Sequence, residues 1–219
     1  MNEYITELTN VSLFNGILKD NIRSILTCLG SYVRTYTKGE FISLSDESVN
    51  YVGIVLNGIV HMLKEDSCGN KTIIVVIKNT ELFGETFACA SSFPSTVSFF
   101  SASKTQILFM PFDKIMRSCS SSCVFHHKLI KNMVTLISNK NIYLMEKLEI
   151  LSKRTLRDKI LTYLSLQAQR HKNKYFQIPM GRIELADYLC VNRSALTREL
   201  SNMKADGLID FDKNTFRLI

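Results

Sequence analysis

The sequence predicts an α+β chain: a strand-rich N-terminal part, one long helix, and a C-terminal domain built around two short helices. Three observations carry this. Short β-branched and aromatic runs, separated by glycine and polar turns, fill the chain from Tyr32 to about Phe112. A heptad pattern covers residues 127 to 151. The segment from Gly181 to Met203 reads as an amphipathic helix, a tight turn and a second amphipathic helix, that is, a helix-turn-helix.

In chain order, Leu8 to Leu29 is helical in pattern, with Leu13-Phe14 before a turn at Asn15-Gly16 and with Ile22, Ile25, Leu26 and Leu29 on one face. Strands are expected at Glu40–Leu44, Val52–Leu56, Ile59–Leu63, Thr72–Ile77, Val97–Ser101 and Gln106–Met110. Lys38-Gly39, Asn57-Gly58, Cys68-Gly69-Asn70, Phe83-Gly84 and Pro111 bound them. Several runs alternate, so one face of each is expected to be buried. Asn57-Gly58 is a tight hairpin signal, because a type I′ turn needs positive φ at both central residues. A regular series of short strands points to a sandwich, roll or barrel.

The heptads place His127, Val134, Asn141 and Leu148 at a, and Ile130, Ile137, Leu144 and Leu151 at d. All four d residues are branched aliphatics, as a two-stranded parallel coiled coil requires, and a lone Asn at a can bond its twin and fix register. The dimer seam is therefore expected along Ile130, Val134, Ile137, Asn141, Leu144, Leu148 and Leu151. The alternative is a long helix buried within its own subunit. A second stripe, Leu129, Met133, Leu136 and Tyr143, is assigned to such intrachain packing, so the helix is expected to serve both surfaces.

In the helix-turn-helix, Ile183, Leu185, Ala186 and Leu189 can pack onto Leu196, Leu200 and Met203, while Asn192 has the side chain of an N-cap. Asn192, Arg193, Ser194, Thr197 and Arg198 then stand outward at the start of the second helix. These residue types bond phosphates and base edges, and an arginine fork matches O6 and N7 of guanine. A helical hairpin in any all-α domain fits the apolar spacing equally well. Charge separates the two readings: residues 1 to 151 carry 14 Lys+Arg against 13 Asp+Glu, residues 152 to 219 carry 13 against 7. Nearly all of the basic excess coincides with the helix-turn-helix, where neutralising phosphates would need it. Lys153, Arg154, Arg157, Lys172, Lys174 and Arg217 are further candidates for phosphate contacts.

No stretch approaches the run of apolar residues a membrane span needs, and the N-terminus lacks a basic segment followed by an apolar one, so the cytoplasm is the expected location. Six cysteines are then expected to be reduced and mostly buried. Cys119, Cys123, His126 and His127 form the one cluster of soft metal-ligand types, but their spacing is not an established zinc pattern; junction residues are the preferred reading, and no metal or other cofactor is expected. An enzyme is not expected either, since no nucleophile motif, phosphate loop or paired carboxylates appear.

Leu13-Phe14, Lys38-Gly39-Glu40, Tyr51-Val-Gly-Ile-Val-Leu-Asn-Gly-Ile-Val60, Phe83-Gly84-Glu85, the long helix, and a helix-turn-helix with Arg193 and Arg198 follow one another along essentially the whole chain. In this order and spacing the chain resembles the Crp/Fnr family of bacterial transcription regulators. The resemblance implies a cyclic-nucleotide-binding-like β-roll within residues 1–124, a dimerisation helix at 125–151 and a winged helix at 152–219. The wing would be the hairpin of Leu208–Phe211 and Thr215–Ile219, and a helix at 153–170 would open the domain. The implied partners are double-stranded DNA bearing a palindromic operator, a second copy of the chain, RNA polymerase and a small-molecule effector.

For the effector, the resemblance places Gly84, Glu85, Thr96 and Asn141 around the pocket. Family members that bind cyclic AMP follow the Gly-Glu pair, about ten residues on, with Arg-Ser, whose Arg neutralises the phosphate. Here Phe93-Pro-Ser-Thr-Val-Ser-Phe-Phe100 holds neither Arg nor Lys. A buried phosphate without a cation is costly, so the effector is expected not to be cyclic AMP, and Glu85 is expected to cap turn amides instead. The N-terminal cysteine cluster of iron–sulfur relatives is also missing, because only Cys28 precedes residue 68. The rival to a regulator is a ligand-binding or protein-interaction module whose helix-turn-helix no longer functions.

Overall fold

A computed structural model describes residues 4–66, 68–90, 93–117 and 124–219. The chain divides into two compact units, Met1–Ser138 and Asn139–Ile219, and the division falls inside one helix.

In the first unit, α1 (Ile5–Leu8), a 3₁₀ turn (Ser12–Phe14) and α2 (Lys19–Cys28) precede the strands. These are β1 (Tyr32–Tyr36), β2 (Phe41–Ser43), β3 (Tyr51–Asn57), β4 (Val60–Glu65), β5 (Lys71–Ile77) and β6 (Leu82–Phe83), then, after α3 (Glu85–Ala90), β7 (Ser98–Ser101) and β8 (Thr105–Pro111). The short α4 (Phe112–Met116) follows. Two four-stranded antiparallel sheets result, ordered β1-β8-β3-β6 and β2-β7-β4-β5, which make the β-roll. Alternation along β3 builds two cores. Val52 and Ile54 join Leu13, Phe14, Ile22, Ile25 and Leu26 under the helices, whereas Val55 joins the interior of the roll.

That interior is packed with rings. Phe83 lies 4.9 Å from Phe99, and Tyr51 stands edge-on to Phe109 at 4.8 Å. Gly53 makes room: a Cβ there would stand 2.5 Å from the Phe83 ring. Burial pushes the Tyr51 hydroxyl up to about 12 despite its hydrogen bond to Ser43.

The hairpin expected at Asn57-Gly58 does not form. β3 and β4 belong to different sheets, so the glycine makes a corner rather than a hairpin loop. Gly58 has the positive φ, +101°, and a Cβ would stand 2.5 Å from Thr105 Oγ1 and 2.6 Å from the Lys104 carbonyl. Close approach to the β8 strand start, and not a type I′ turn, requires the glycine there. Ile59, expected to open a strand, sits in this corner, where its amide donates to Ser103 and Thr105 hydroxyls. β5 departs from expectation too. It is an edge strand paired only with β4, and Ile73, Ile74, Val75 and Val76 are exposed on both its faces; only Ile77, at its end, reaches the core of the roll. The sequence pattern carried no sign of β6, and β1 appeared in it only as the start of strand-like chain.

The long helix α5 (Val124–Leu151) is continuous. Leu129 and Met133 are buried, and Leu136 and Ile137 pack against the same core, as the second stripe implied for the first three. Ile137 therefore has intrachain packing as well as its place in the expected seam. Val134, Leu144, Met145 and Leu148 stand 56, 55, 62 and 67% exposed. His126 is buried and donates from Nε2 to the Lys114 carbonyl at 3.0 Å, which is a structural role; His127 is exposed. Cys119 and Cys123 lie outside the described residues, as do Ser120 to Ser122. Among the described residues no group of three or more His, Cys, Asp or Glu is placed to hold a metal ion, and no helix is long and apolar enough to cross a membrane. The described cysteines Cys28, Cys68, Cys89 and Cys190 are free and exposed rather than buried.

In the second unit, the end of α5 leads to α6 (Leu156–His171), β9 (Tyr175–Gln177), α7 (Arg182–Tyr188), α8 (Arg193–Ala205), β10 (Ile209–Asp212) and β11 (Thr215–Leu218). Thr155 caps α6, accepting from the Asp158 amide at 3.1 Å. Ile160, Leu164, Leu185, Leu189, Leu196, Leu200, Met203, Ile209 and Phe216 form the core. The end of α5 is part of this unit: Ile150 is in the core, Tyr143 meets Tyr188 at 6.2 Å, Lys147 lies over the Tyr188 ring at 5.0 Å, and Glu146 pairs with Arg170. Strands β10 and β11 are the expected wing, and the sheet order β10-β11-β9 adds a third strand that the sequence did not announce.

Candidate nucleic-acid interface

The two helices of the motif pack as their apolar spacing implied, with one correction. Leu185, Ala186 and Leu189 are buried against Leu196, Leu200 and Met203, but Ile183 is 59% exposed, because on a seven-residue helix it falls opposite Leu185. The Glu184 carboxylate accepts from the Gly181 amide at 2.7 Å and secures the start of α7.

Between the helices, the amides of Cys190 and Val191 donate to the carbonyls of Asp187 and Ala186 at 3.1 and 3.0 Å. Cys190 holds φ +55°, a left-handed conformation that glycine adopts without steric cost. Cys190→Gly is therefore expected to stabilise the domain by about 0.5–1 kcal/mol, read as a higher urea midpoint at unchanged slope. A lower midpoint would show that the side chain contributes more than the strain costs.

Asn192 occupies the N-cap position of α8, extended at φ −68° and ψ 136°, and its carbonyl accepts from the Leu196 amide at 3.0 Å. Its side chain makes no cap bond, contrary to expectation; the exposed helix start leaves those amides open to solvent, so this short amide is not tied down.

Burial of Leu196, Leu200 and Met203 turns the opposite face of α8 outward. Arg193, Ser194, Thr197, Arg198, Ser201 and Asn202 line a shallow open depression there. Thr197 and Ser201 donate their hydroxyl protons to the carbonyls of Arg193 and Thr197, at 2.9 and 3.1 Å, which leaves their oxygens able to accept. Neither Arg193 nor Arg198 meets a carboxylate among the described residues.

Other arginines of this unit are engaged. The Arg182 guanidinium lies 4.9 Å from the Phe211 ring centre and 5.1 Å from that of Phe216, joining α7 to the wing, and burial lowers its pKa. Arg157, a candidate phosphate contact by sequence, instead bonds Glu199 through Nε at 2.6 Å and Asp206 through Nη1 at 2.7 Å. Two carboxylates balance the charge of this guanidinium, which weakens its pull on a phosphate. Lys153 lies 3.9 Å from Glu149, a loose surface pair. Lys204, near the end of α8, bonds Asp210 of the wing at 2.6 Å and holds that carboxyl below its usual range. Lys172, Lys174 and Arg217 are exposed.

Within the β-roll, Gly84 takes φ +82°, and a Cβ there would stand 2.9 Å from the Tyr51 carbonyl, so glycine is obligatory. Glu85 opens α3 with 4% of its surface exposed and lies 3.5 Å from the Thr86 hydroxyl. Ten residues beyond it is Ser95, wholly buried. Its hydroxyl donates to the Val97 carbonyl at 2.7 Å, and its amide and carbonyl bond Glu47 and Asp46. A neutral turn residue thus stands at that spacing, and the neighbouring Thr96 is exposed. Asn141 belongs to the other unit and is exposed on α5, so no one unit gathers the four residues.

A β-roll, a long helix and a helix-turn-helix closed by a wing define the class of DNA-binding transcription regulators. Comparison with known proteins fits that class. Residues 33–122 match the cyclic nucleotide-binding domain and residues 158–219 the Crp-like helix-turn-helix domain, in that order and over most of the chain. The protein belongs to the Crp/Fnr family of transcription regulators and is not an enzyme. It is 21% identical over 192 residues to the transcriptional activator protein FnrL of Cereibacter sphaeroides, covering 81% of this chain and 72% of that one. Its fold is similar to that of the catabolite activator protein of Thermus thermophilus, with TM-score 0.56, 19% identity, and 95 and 93% of the two chains covered. It is also similar to the c-di-GMP-responsive global regulator CLP of Xanthomonas campestris, with TM-score 0.52, 17% identity, and 91 and 98% covered.

Proposed function

We propose that the protein acts as a homodimer on a near-palindromic operator, placing one α8 per half-site in successive major grooves. Asn192, Arg193, Ser194, Thr197 and Arg198 make the contacts. The observation that carries this reading is the pair of exposed guanidinium groups on the outer face of α8, both free of carboxylates among the described residues while Arg157, Arg170 and Arg182 are occupied. The seam runs along α5 through Ile130, Val134, Ile137, Asn141, Leu144, Leu148 and Leu151, to which the exposure of Met145 adds one residue.

The signal acts at the β-roll, around Gly84, Glu85 and Thr96 with Asn141 as a seam residue, and is not cyclic AMP. Ser95 as a buried turn residue, and an interior filled by Tyr51, Phe83, Phe99 and Phe109, both favour this. A fold neighbour described as responding to c-di-GMP accords with a family frame that accepts more than one signal.

Selection of bound sequences from random duplexes, with and without cell metabolites, tests the whole reading. An inverted repeat with half-site centres about 10–10.5 base pairs apart is expected. Unenriched pools at low salt would leave the ligand-binding or interaction module standing. Calorimetry with cyclic AMP is expected to show no binding at micromolar ligand, and saturable heat there would overturn the effector reading.

A further inference from the structure

The α8 helix carries one carboxylate, Glu199, next to Arg198 in sequence and partly exposed. By helical position it lies on the flank between the outward-facing Asn202 and the buried Met203. A helix about 10–12 Å across nearly fills a major groove about 12 Å wide, so its flanks face the phosphate backbones. A bare carboxylate on that flank would oppose binding to any sequence, by repelling the phosphates it faces.

The structure removes the problem from behind. Arg157, in the first turn of α6, reaches across to α8, where Nε bonds Glu199 Oε1 at 2.6 Å and Nη1 bonds Asp206 Oδ2 at 2.7 Å. Asp206 is the C-cap of α8, so one planar fork grips the helix near its middle and at its end. We propose that Arg157 is a positioning residue for DNA recognition, which neutralises Glu199 and ties it back so that the phosphates meet no uncompensated carboxylate. This rests on α8 being the DNA-reading helix. Arg157 itself touches no DNA on this account; it acts through Glu199.

A double-mutant cycle read by fluorescence anisotropy on the selected operator decides, with thermal melting of each variant alongside. Arg157→Ala is expected to weaken binding about tenfold, from the uncovered carboxylate. Glu199→Gln alone is expected to stay within about twofold of wild type, and Arg157→Ala/Glu199→Gln to recover to within about threefold, with the wild-type salt slope. A purely structural clamp, or a direct phosphate contact by Arg157, would leave the double variant as weak as Arg157→Ala, and either result overturns the proposal. So does wild-type binding by Arg157→Ala. If Arg157→Ala unfolds, Arg157→Gln, of similar reach and without charge, takes its place in the cycle. Wild-type protein that ignores all duplexes refutes the reading of α8, whereas wild-type binding without rescue refutes only the role of Arg157.

Discussion

Arg193→Ala and Arg198→Ala are each expected to weaken operator binding by about 1–3 kcal/mol, roughly five- to 150-fold, and together to reduce it to the level of random duplex. The size follows from what each group has to bond. Both are exposed on the outer face of α8 and neither is held by a carboxylate among the described residues, so each fork is free to bond DNA and its removal costs that bond in full. They stand five residues apart, an axial rise of about 7.5 Å, against about 3.4 Å per base step, so they address positions roughly two base pairs apart. An arginine that reads a base should therefore relax preference at a single position per half-site, while one that holds a phosphate should weaken all sequences evenly and lower the salt slope by about one. Gel shifts across a singly substituted operator separate these outcomes. Wild-type affinity for both variants would exclude α8 as the reading element.

Leu148→Asp should convert a dimer into a monomer. Leu148 is 67% exposed and shares its helix face with Val134, Leu144 and Met145, an apolar surface that the single chain leaves in water. Pairing across a two-fold axis removes two copies of each residue at once. Losing about 1.5–3 kcal/mol per copy weakens the dimer about 10²- to 10⁴-fold, before the charge is considered. Sedimentation at micromolar protein is expected to show half the wild-type mass, and operator affinity should fall as the two half-sites bind independently. A variant that remains dimeric would move the interface elsewhere.

Much of this was legible because burial imposes period on sequence. Leu185, Leu189, Leu196 and Leu200 recur at helical intervals and are all buried, and the same rule found Leu129 and Met133 on α5. Where the rule had little to act on, the reading missed. Strands β6 and β9 have two and three residues, too short to show alternation, and Ile183 lies on too short a helix for its face to be decided. Asn57-Gly58 was misread because a dipeptide shows that positive φ is wanted but not what lies across from it. The engagement of Arg157 with Glu199 and Asp206 joins groups 42 and 49 positions apart, a pairing that local sequence cannot display. Of the effector residues, the missing arginine was visible at once, whereas the ring-filled interior emerged only from the fold.

The uncovered β5 edge bears on how the protein behaves when concentrated. A ribbon of four adjacent aliphatic residues with unpaired amides and carbonyls along one side is a template for cross-strand aggregation. Lys71 and Lys78 bracket it. If two copies aligned antiparallel with Ile74 against Val75, each Lys71 would face a Lys78, and like charges placed opposite one another repel. Lysines so placed follow the gatekeeper pattern, whose repulsion weakens as added salt shortens the Debye length, and at Lys71 it is already reduced by Glu65 at 3.8 Å.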